Sequence, residues 1–410
     1  MKNKLLYVFL FVCQLGLAKE IEVCKSCNLQ SIGTAVELAE DGDLITVKEG
    51  VYKEHGILIN KPLSLQAEGE VTIDGENIET IINIESDGVE VSGFHLINVG
   101  QSYTKEYAAI HILRSDSFSI HHNKLEKVFF GMLIEKCHQG KVYHNTITSD
   151  GTTEAGSGNG IHLWHCDNVS IHDNKLSGLR DGIYFEFVDS SEIYNNYSHN
   201  NLRYGLHFMF SNSDNYHHNT FQNNGAGVAV MFSKKINMHQ NRFLENWGTA
   251  AYGLLLKEIY DAEITNNRFE QNTIGINVEG SSRVNYQYND FVRNGWAAKI
   301  VGACYANSFK DNNFLYNSFD LSYNSKMNDN EFIHNFWSEY SGYDLDKDGI
   351  GDVPYRPVKL FSYIVNQTPE AIVLLRSLFV FIINFSEKVS PIFTPDHLVD
   401  PQPLMKAVNA

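Results

Sequence analysis

A repeat of about 22 residues organises the chain from residue 123 to residue 330. Its most regular mark is an asparagine followed, two residues later, by an apolar residue or, once, by Ser198. The column comprises Asn123, Asn145, Asn174, Asn196, Asn219, Asn241, Asn267, Asn289, Asn312 and Asn330. A glycine column keeps step with it: Gly131, Gly160, Gly182, Gly205, Gly227, Gly253 and Gly275. A period this short, rich in β-branched and aromatic residues, predicts strands rather than helix pairs, and therefore a β-solenoid.

The positions that follow each glycine separate the inside of the solenoid from its outside. Positions +1 and +3 are apolar in every unit, whereas positions +2 and +4 are mixed. Successive side chains on a strand point to opposite faces, so positions +2 and +4 face solvent or a partner. These outward residues include His162, Trp164, Tyr184, Glu186, His207, Met209 and Met231. The asparagines fit bends where stacked amides pair as a ladder about 4.8 Å apart, which is a structural role.

These patterns predict an all-β fold, a single right-handed parallel β-helix over residues 19–337 with about a dozen coils and a length of roughly 55 Å. A short helix over residues 31–39 covers its N-terminal end. An Asp-rich loop follows at 338–360, and a C-terminal helix with an extended tail occupies 361–410. The opening stretch LQSIGTAVELAEDGDLITV resembles the start of pectin-lyase-like β-helix proteins, which indicates a fold and no activity.

Residues 1–18 have the features of a secretory signal peptide cleaved near Ala18, with Lys2 and Lys4 before the apolar run LLYVFLFV. A lipoprotein signal on Cys13 is disfavoured because the bulky Val12 precedes it. Removing the two lysines changes the formal charge from -17 to -19. Such acidity disfavours nucleic acid and anionic lipid as partners. No later run of 18 apolar residues exists, so membrane association would come only through a partner.

Four cysteines raise the question of disulfides in an exported chain. Cys24 and Cys27 enclose two residues just after the expected cleavage site, which predicts a small disulfide loop or, alternatively, a metal or redox site. Cys137 and Cys166 each lie six residues after a column glycine, so they would stack about 5 Å apart. They form either a disulfide or a pair of stacked free thiols.

The segment SGYDLDKDGIGDVPYRP carries a candidate calcium site. Its oxygen ligands would be Asp344, Asp346, Asp348, the backbone carbonyl of Ile350, and Asp352. Tyr355 stands where an EF-hand places its bidentate glutamate, so the segment is not an EF-hand. The alternative is a tight polar turn without metal.

Thr368 and Pro369 are typical of a helix N-cap and first turn. The apolar stripe of this helix would consist of Ile372, Leu375, Phe379, Ile382 and Ile383. The run AIVLLRSLFVFII is too short and too charged to span a bilayer. This helix either caps the solenoid or docks on a membrane partner through residues such as Phe379. The Pro-rich tail beyond it would be free to reach that partner.

The motifs DGIYFEF, LRYGLHFMFS, AGVAVMFS, GYDLDKDGIGDVPYRP and TPDHLVDPQPLM resemble those of the NosD family, and the likeness covers nearly the whole mature chain. The resemblance implies a periplasmic β-helix, not an enzyme, attached to the membrane subunit of an ABC transporter. It also implies work with a copper-chaperone lipoprotein in assembling the copper centres of nitrous oxide reductase. Cys24 and Cys27 have no place in the family pattern, and many histidines lie outside the motifs.

The residues offer an independent argument for copper. Copper(I) favours thioether, imidazole and thiolate ligands, and the outward face of successive coils presents His162, His207, Met209 and Met231. An apolar docking surface formed by Met209, Met231 and Tyr184 with Trp164 and Glu186 nearby is the alternative. A second outward column, two residues before the asparagines, holds His121, His172, His217 and His239, which suit either a solvated surface or metal binding.

Two other classes of function compete with copper handling. This fold often hosts polysaccharide lyases, hydrolases and epimerases, which need clustered carboxylates. The trio Arg180, Tyr184 and Glu186 is the nearest approach to such a cluster. A structural or adhesive solenoid is the other alternative.

Overall fold

The computed structural model describes residues 19–102, 104–249, 251–324, 329–389 and 398–408. The predicted signal peptide and Cys13 lie outside the described residues. The chain forms a right-handed parallel β-helix of about 14 turns, which confirms the predicted fold class and is slightly longer than expected.

Each coil contributes strands to three rows, and all pairing between neighbouring coils is parallel. The first row, called the long-strand sheet, contains the glycine column. It consists of twelve strands, Ile57–Ile59, Ile82–Ile84, Ala108–Leu113, Phe130–Glu135, Ile161–Trp164, Asp181–Glu186, Tyr204–Met209, Ala226–Met231, Leu254–Lys257, Ile274–Glu279, Trp296–Val301 and Phe319–Asn324.

The other two rows flank the asparagine bend and are joined into one sheet by two long N-terminal strands. The second row precedes the bend and comprises Glu20–Val23, Leu44–Lys53, Ser64–Asp74, Glu90–Ser92, Ser119–His121, Lys141–Tyr143, Ser170–His172, Glu192–Tyr194, Asn215–His217, Asn237–His239, Tyr260–Thr265, Ser282–Gln287, Ser308–Lys310 and Glu331–Ile333. The third row follows the bend and comprises His95–Ile97, Lys124–Glu126, Thr146–Thr148, Lys175–Ser177, Tyr197–His199, Thr220–Gln222, Arg242–Leu244, Arg268–Glu270, Asp290–Val292, Asn313–Leu315 and Phe336–Trp337.

The glycine column is required because stacked coils approach closely along the long-strand sheet. A Cβ atom on Gly182 would lie 2.6 Å from the carbonyl oxygen of Gly205, and one on Gly205 would lie 2.8 Å from that of Gly227. The +1 and +3 residues after each column glycine are fully buried, as predicted; Leu206 and Phe208 are examples. The alternation along each strand therefore places these apolar side chains in the core, as the sequence predicts.

The asparagines of the bend form the predicted ladder. In each step one side-chain oxygen accepts both the backbone N–H and the Nδ2 of the preceding asparagine. Asn174 Oδ1, for example, lies 3.0 Å from Asn145 N and 3.1 Å from Asn145 Nδ2. Asn330 was assigned to this ladder incorrectly, because Asn312 pairs instead with Asn335. Asn330 accepts from Asn307 in a separate ladder at another corner.

A short helix, α1 (Ile32–Leu38), covers the N-terminal end as predicted. Ser31 caps it by accepting the backbone N–H of Thr34. Ile32, Ala35 and Val36 are buried at the end of the core.

The C-terminal region differs from the single predicted helix. A helix, α2 (Leu360–Gln367), precedes Thr368, a 3₁₀ helix spans Pro369–Leu374, and α3 covers Leu378–Val389. Thr368 makes no side-chain cap bond. Proline disfavours helical geometry in the residue before it, which ends α2 ahead of Pro369.

The described part of the tail, residues 398–408, is packed on the last coils rather than free, contrary to expectation. Asp400 pairs with Tyr355, and Leu404 pairs with Phe336 and Ile350. Asp400 is fully buried, and its Oδ2 accepts the backbone N–H and Nδ2 of Asn335. The tail carboxylate thus ends the asparagine ladder.

Candidate functional site

The candidate site lies on the outer face of the long-strand sheet over four successive coils. Register across these coils aligns His162, Tyr184, His207 and Ala229 in one column. A second column, two residues further along each strand, aligns Trp164, Glu186, Met209 and Met231. All but one of the sequence-predicted copper residues therefore share one small patch.

His207 is less exposed than its outward position predicts, with only 6% of its surface accessible. The rings of Tyr184 and Tyr204 cover it at centroid distances of 5.1 and 4.9 Å. Neither ring nitrogen has a hydrogen-bond partner, although Nδ1 lies 3.8 Å from Asp181 Oδ2. Buried polar atoms are normally satisfied, so an imidazole with two unbonded nitrogens is unusual, and Met209 follows it two residues further along the same strand.

A buried ion pair that the sequence did not reveal supports this histidine. Asp181 is fully buried and binds Arg203 of the next coil through both carboxylate oxygens. Burial raises the pKa of Asp181, but the Arg203 and His207 side chains outweigh it, and the pKa is lowered overall. The pair holds one carboxylate oxygen of Asp181 3.8 Å from His207 Nδ1.

The two inserted loops approach this end of the sheet. Glu154, in the longer loop, contributes to raising the pKa of Arg203, for which the main cause is Asp181. Burial raises the pKa of Tyr252, in the shorter loop, and the neighbouring Tyr204 adds to that shift. Both insertions therefore border the site, where binding loops are expected on a solenoid.

His162 lies two coils from His207, about 9.6 Å at the strand spacing, with Tyr184 between them. Burial, together with the charge of Arg180, lowers the pKa of His162 to about 4. The ring is therefore neutral at pH 7 and suitable as a ligand. The structure nevertheless does not bring it beside Met209 and Met231.

Met209 and Met231 are partly exposed neighbours in adjacent strands. Beside them runs a stack of exposed phenylalanines, Phe187, Phe210 and Phe232, with 40, 37 and 44% of their surface accessible. Their rings stack at 5.1 and 5.2 Å. Each has a positive φ of 51–55°, a conformation that is unusual for a bulky side chain. The recurring Phe before the polar turn was the sequence signal for this surface.

Of the other predicted surface residues, Trp164, Tyr184 and Glu186 lie on adjacent strands of this patch, whereas Phe379 does not. Trp164 packs under Lys136, whose Nζ is 5.0 Å from the ring centroid. The Tyr184 hydroxyl donates to Glu186 at 3.3 Å. Burial, together with Glu186, raises the pKa of Tyr184 to about 12, so this phenol is a poor general base at neutral pH. Phe379 lies on α3, outside this patch.

The C-terminal helices present a second apolar surface. Phe361, Val365 and Val380 are buried against Trp296 and Phe319 of the β-helix. Of the predicted stripe, Leu375 and Ile383 pack partly against this cluster. The exposed apolar residues of the segment, called the helix surface below, are Ile372, Val373, Leu374, Leu378, Phe379, Phe381, Ile382 and Phe385. No helix among the described residues is long and apolar enough to cross a membrane.

The Asp-rich loop has the properties of a polar turn. Asp344, Asp346 and Asp348 have carboxylate oxygens within 4.8 Å of one another. Asp344, however, accepts the backbone N–H groups of Lys347 and Gly349, Asp348 accepts that of Ile350, and Asp352 accepts that of Leu345. The loop is thus closed by hydrogen bonds to its own backbone, as a tight polar turn is.

The two cysteine pairs differ in whether they form a disulfide. Cys24 and Cys27 form a disulfide. Cys137 and Cys166 are buried free thiols, so a disulfide there is wrong and the stacked-thiol alternative describes them. Each thiol donates to backbone carbonyls of the core, Cys137 to Glu135 at 3.1 Å and Cys166 to Ile134 at 3.4 Å.

Comparison with known proteins identifies the family. Residues 143–342 match the family model for NosD, described as a periplasmic copper-binding protein. The chain carries a NosD-family domain. A probable ABC transporter binding protein NosD of Pseudomonas aeruginosa is 27% identical over 373 residues, which is 85% of each chain.

Solved structures similar to this chain show the fold alone. A family 28 exopolygalacturonase of Yersinia enterocolitica aligns with a TM-score of 0.57 and 9% identity over 78% of each chain. PfbA, a surface adhesin of Streptococcus pneumoniae, aligns with a TM-score of 0.50 and 12% identity over 74% of this chain and 85% of that one. The names of the NosD proteins describe binding proteins, whereas these neighbours include a polysaccharide enzyme and an adhesin.

Proposed function

We propose that this protein is a periplasmic, non-enzymatic, copper-handling scaffold that docks on the membrane subunit of an ABC transporter. In this role it would act with a copper-chaperone lipoprotein in assembling the copper centres of nitrous oxide reductase. The chaperone and the reductase are proposed as partners because the motifs of this chain resemble those of the NosD family. Copper and the transporter are supported by the family description and by the name of the Pseudomonas relative.

The observation that carries the docking proposal is the helix surface. Eight large apolar side chains are exposed within the segment from Ile372 to Phe385. Contiguous exposed apolar surface of this kind marks an interaction site in a soluble protein. α2 holds the N-terminal side of this segment on the β-helix, and the chain is docked again at residues 398–408.

The copper proposal rests on the donor set of the candidate site. His207 offers unbonded buried nitrogens, and Met209 and Met231 offer thioethers on adjacent strands. These are the soft and borderline donors that copper(I) prefers. His162 and the calcium-loop residues are not needed for this set.

Docking is tested by co-purification of the full-length protein with the transporter membrane subunit. The variant Phe381→Ser/Phe385→Ser should remain folded, because both side chains are exposed, and should lose co-purification at least tenfold. The control Tyr316→Ser/Leu345→Ser removes exposed apolar groups elsewhere on the chain and should bind normally. Equal recovery of the helix variant and the wild type would refute this docking surface.

Copper handling is tested by copper(I) competition titration of Met209→Leu/Met231→Leu. Leucine keeps the apolar contact and removes the sulfur, so the variant should bind the transporter but lose copper(I) affinity and leave the reductase short of copper. Met405→Leu, in the docked tail, is the matched control. Unchanged affinity with normal reductase maturation would show that the patch serves only as an apolar docking surface.

A further inference from the structure

Two pairs of adjacent histidines occupy equivalent places in the second row of strands. The first residue of each pair lies two positions before a ladder asparagine, and the second has a left-handed φ of 56°. This bend turns the second side chain back toward the first. The Nδ1 atoms of His121 and His122 are 2.9 Å apart, and those of His217 and His218 are also 2.9 Å apart. The same constellation therefore recurs four coils along the solenoid.

A glutamate of the preceding coil contacts the first histidine of each pair. Glu90 Oε1 lies 2.9 Å from His121 Nε2, and Glu192 Oε1 lies 3.1 Å from His217 Nε2. A carboxylate at Nε2 holds the proton on that nitrogen, so the lone pair of the neutral ring is on Nδ1. The lone pair then faces the second imidazole. Carboxylate, histidine and a second donor form the arrangement that supports metal-binding histidines.

Two other coils have a histidine at the first position of this bend but no histidine at the second, and there Nδ1 has a different partner. His172 Nδ1 lies 2.8 Å from the carboxylate of Asp173, and His239 Nδ1 lies 3.3 Å from the side-chain oxygen of Gln240. In those coils Nδ1 donates to an oxygen acceptor. Only the paired-histidine coils place two imidazole nitrogens face to face at this column of the described chain.

We propose that His121/His122 and His217/His218 are two metal-binding sites for a divalent transition-metal ion of the class that prefers imidazole. The order of affinities for such ligands places Cu(II) ahead of Ni(II) and Zn(II). Two nitrogens bound at about 2.0 Å to one ion lie about 2.8 Å apart in cis positions of a square plane and about 3.3 Å apart in a tetrahedron, so each pair needs only a small change in spacing and a turn of the rings toward the ion. Rotation of the second ring, which is exposed in both pairs, provides that change and gives a hydrated ion access.

The surroundings of the first pair support this assignment. The ring of His144 lies 4.9 Å from that of His122 and is placed to supply a third nitrogen. The sites lie on a different row of strands from the methionine patch and do not depend on the proposed copper(I) function.

The test is titration of the purified full-length protein with Cu(II) alone, followed by electron paramagnetic resonance and by metal analysis after gel filtration. The wild type should bind two Cu(II) ions with nitrogen hyperfine splitting. His122→Asn/His218→Asn should lower the affinity at least tenfold at both sites. Asn195 occupies the same left-handed position in an intermediate coil, so the substitution suits the fold.

Two controls make the result specific. His138→Asn/His165→Asn removes the same number of exposed histidines, neither of which faces a second imidazole nitrogen, and should bind two Cu(II) ions. Met209→Leu/Met231→Leu should also keep both, whatever its copper(I) affinity. Unchanged stoichiometry and affinity in His122→Asn/His218→Asn would overturn the proposal, as would equal losses in the histidine control.

Glu90→Gln/Glu192→Gln provides a second, independent measurement. The amide no longer holds the Nε2 proton as a carboxylate does, so Cu(II) affinity should fall by about tenfold while both ions remain detectable. Affinity identical to that of the wild type would contradict the role of the glutamates in presenting Nδ1.

Discussion

We expect the hydrogen bonds of Asp400 to hold the C-terminal tail on the β-helix. Its Oδ2 accepts three hydrogen bonds, from Asn335 N at 3.0 Å, Asn335 Nδ2 at 3.2 Å and Trp337 Nε1 at 3.0 Å. Asp400→Ala removes the acceptor and leaves Asn335 N and Trp337 Nε1 without a partner, whereas Asn335 Nδ2 keeps its bond to the carbonyl oxygen of Phe309 at 2.8 Å. The tail also pairs with Tyr355, so its release would undock the chain at residues 398–408.

The size of the effect follows from the two donors that lose their partner. A buried donor left unsatisfied costs about 1–3 kcal/mol. Water can reach the end of a solenoid more easily than its middle, so the lower end of the range applies to each donor, and the total is about 2 kcal/mol. Asp400→Asn keeps an oxygen where every other member of the ladder has one. It should therefore lose only about 1 kcal/mol, the difference between a charged and a neutral acceptor.

Urea unfolding followed by tryptophan fluorescence measures this loss of unfolding free energy, since Trp337 itself donates a hydrogen bond to Asp400. Asp41→Ala, an exposed carboxylate near the N-terminal end, is the control and should match the wild type. Limited proteolysis should cut the tail of Asp400→Ala first, and co-purification with the transporter should weaken. An Asp400→Ala protein as stable as the control, within about 0.5 kcal/mol, would refute the reasoning.

Three further variants test the packing and electrostatics. Gly205→Ala places a Cβ 2.8 Å from a backbone carbonyl and should lower the unfolding free energy by about 2 kcal/mol, whereas Gly248→Ala has room and should not. Burial raises the pKa of Asp320 to about 7, so the folded state binds that proton more tightly and stability falls as pH rises from about 4 to about 7. Asp320→Asn should remove this part of the slope in thermal melts between about pH 4 and about pH 7. Arg203→Met leaves Asp181 buried and unpaired and should lose about 3 kcal/mol in urea unfolding; wild-type stability would contradict the structural role of that pair.

The sequence predicts those features that every coil repeats. The glycine column, the buried +1 and +3 residues and the asparagine ladder each depend on one position recurring at the coil period, and such a pattern is visible without coordinates. Asn330 was misassigned because spacing alone cannot tell which corner an asparagine occupies when the coil length changes. Asp181 and Arg203 lie in different coils and at different positions, so their pairing becomes apparent only when the register is known.

The functional surfaces arise where a coil departs from its neighbours. The outward column that holds His162 and His207 continues as Ala229 in the next coil and Leu255 in the one after, and of its two histidines only His207 contacts two tyrosine rings. Its burial depends on Tyr184 from the preceding coil and Tyr204 from its own strand, a combination that no repeat position encodes. The paired histidines follow the same logic, because the bend is common to all coils while only two of them put imidazole at both positions. A solenoid therefore offers identical geometry at every step, and the chemistry of each site is set by the few residues that differ.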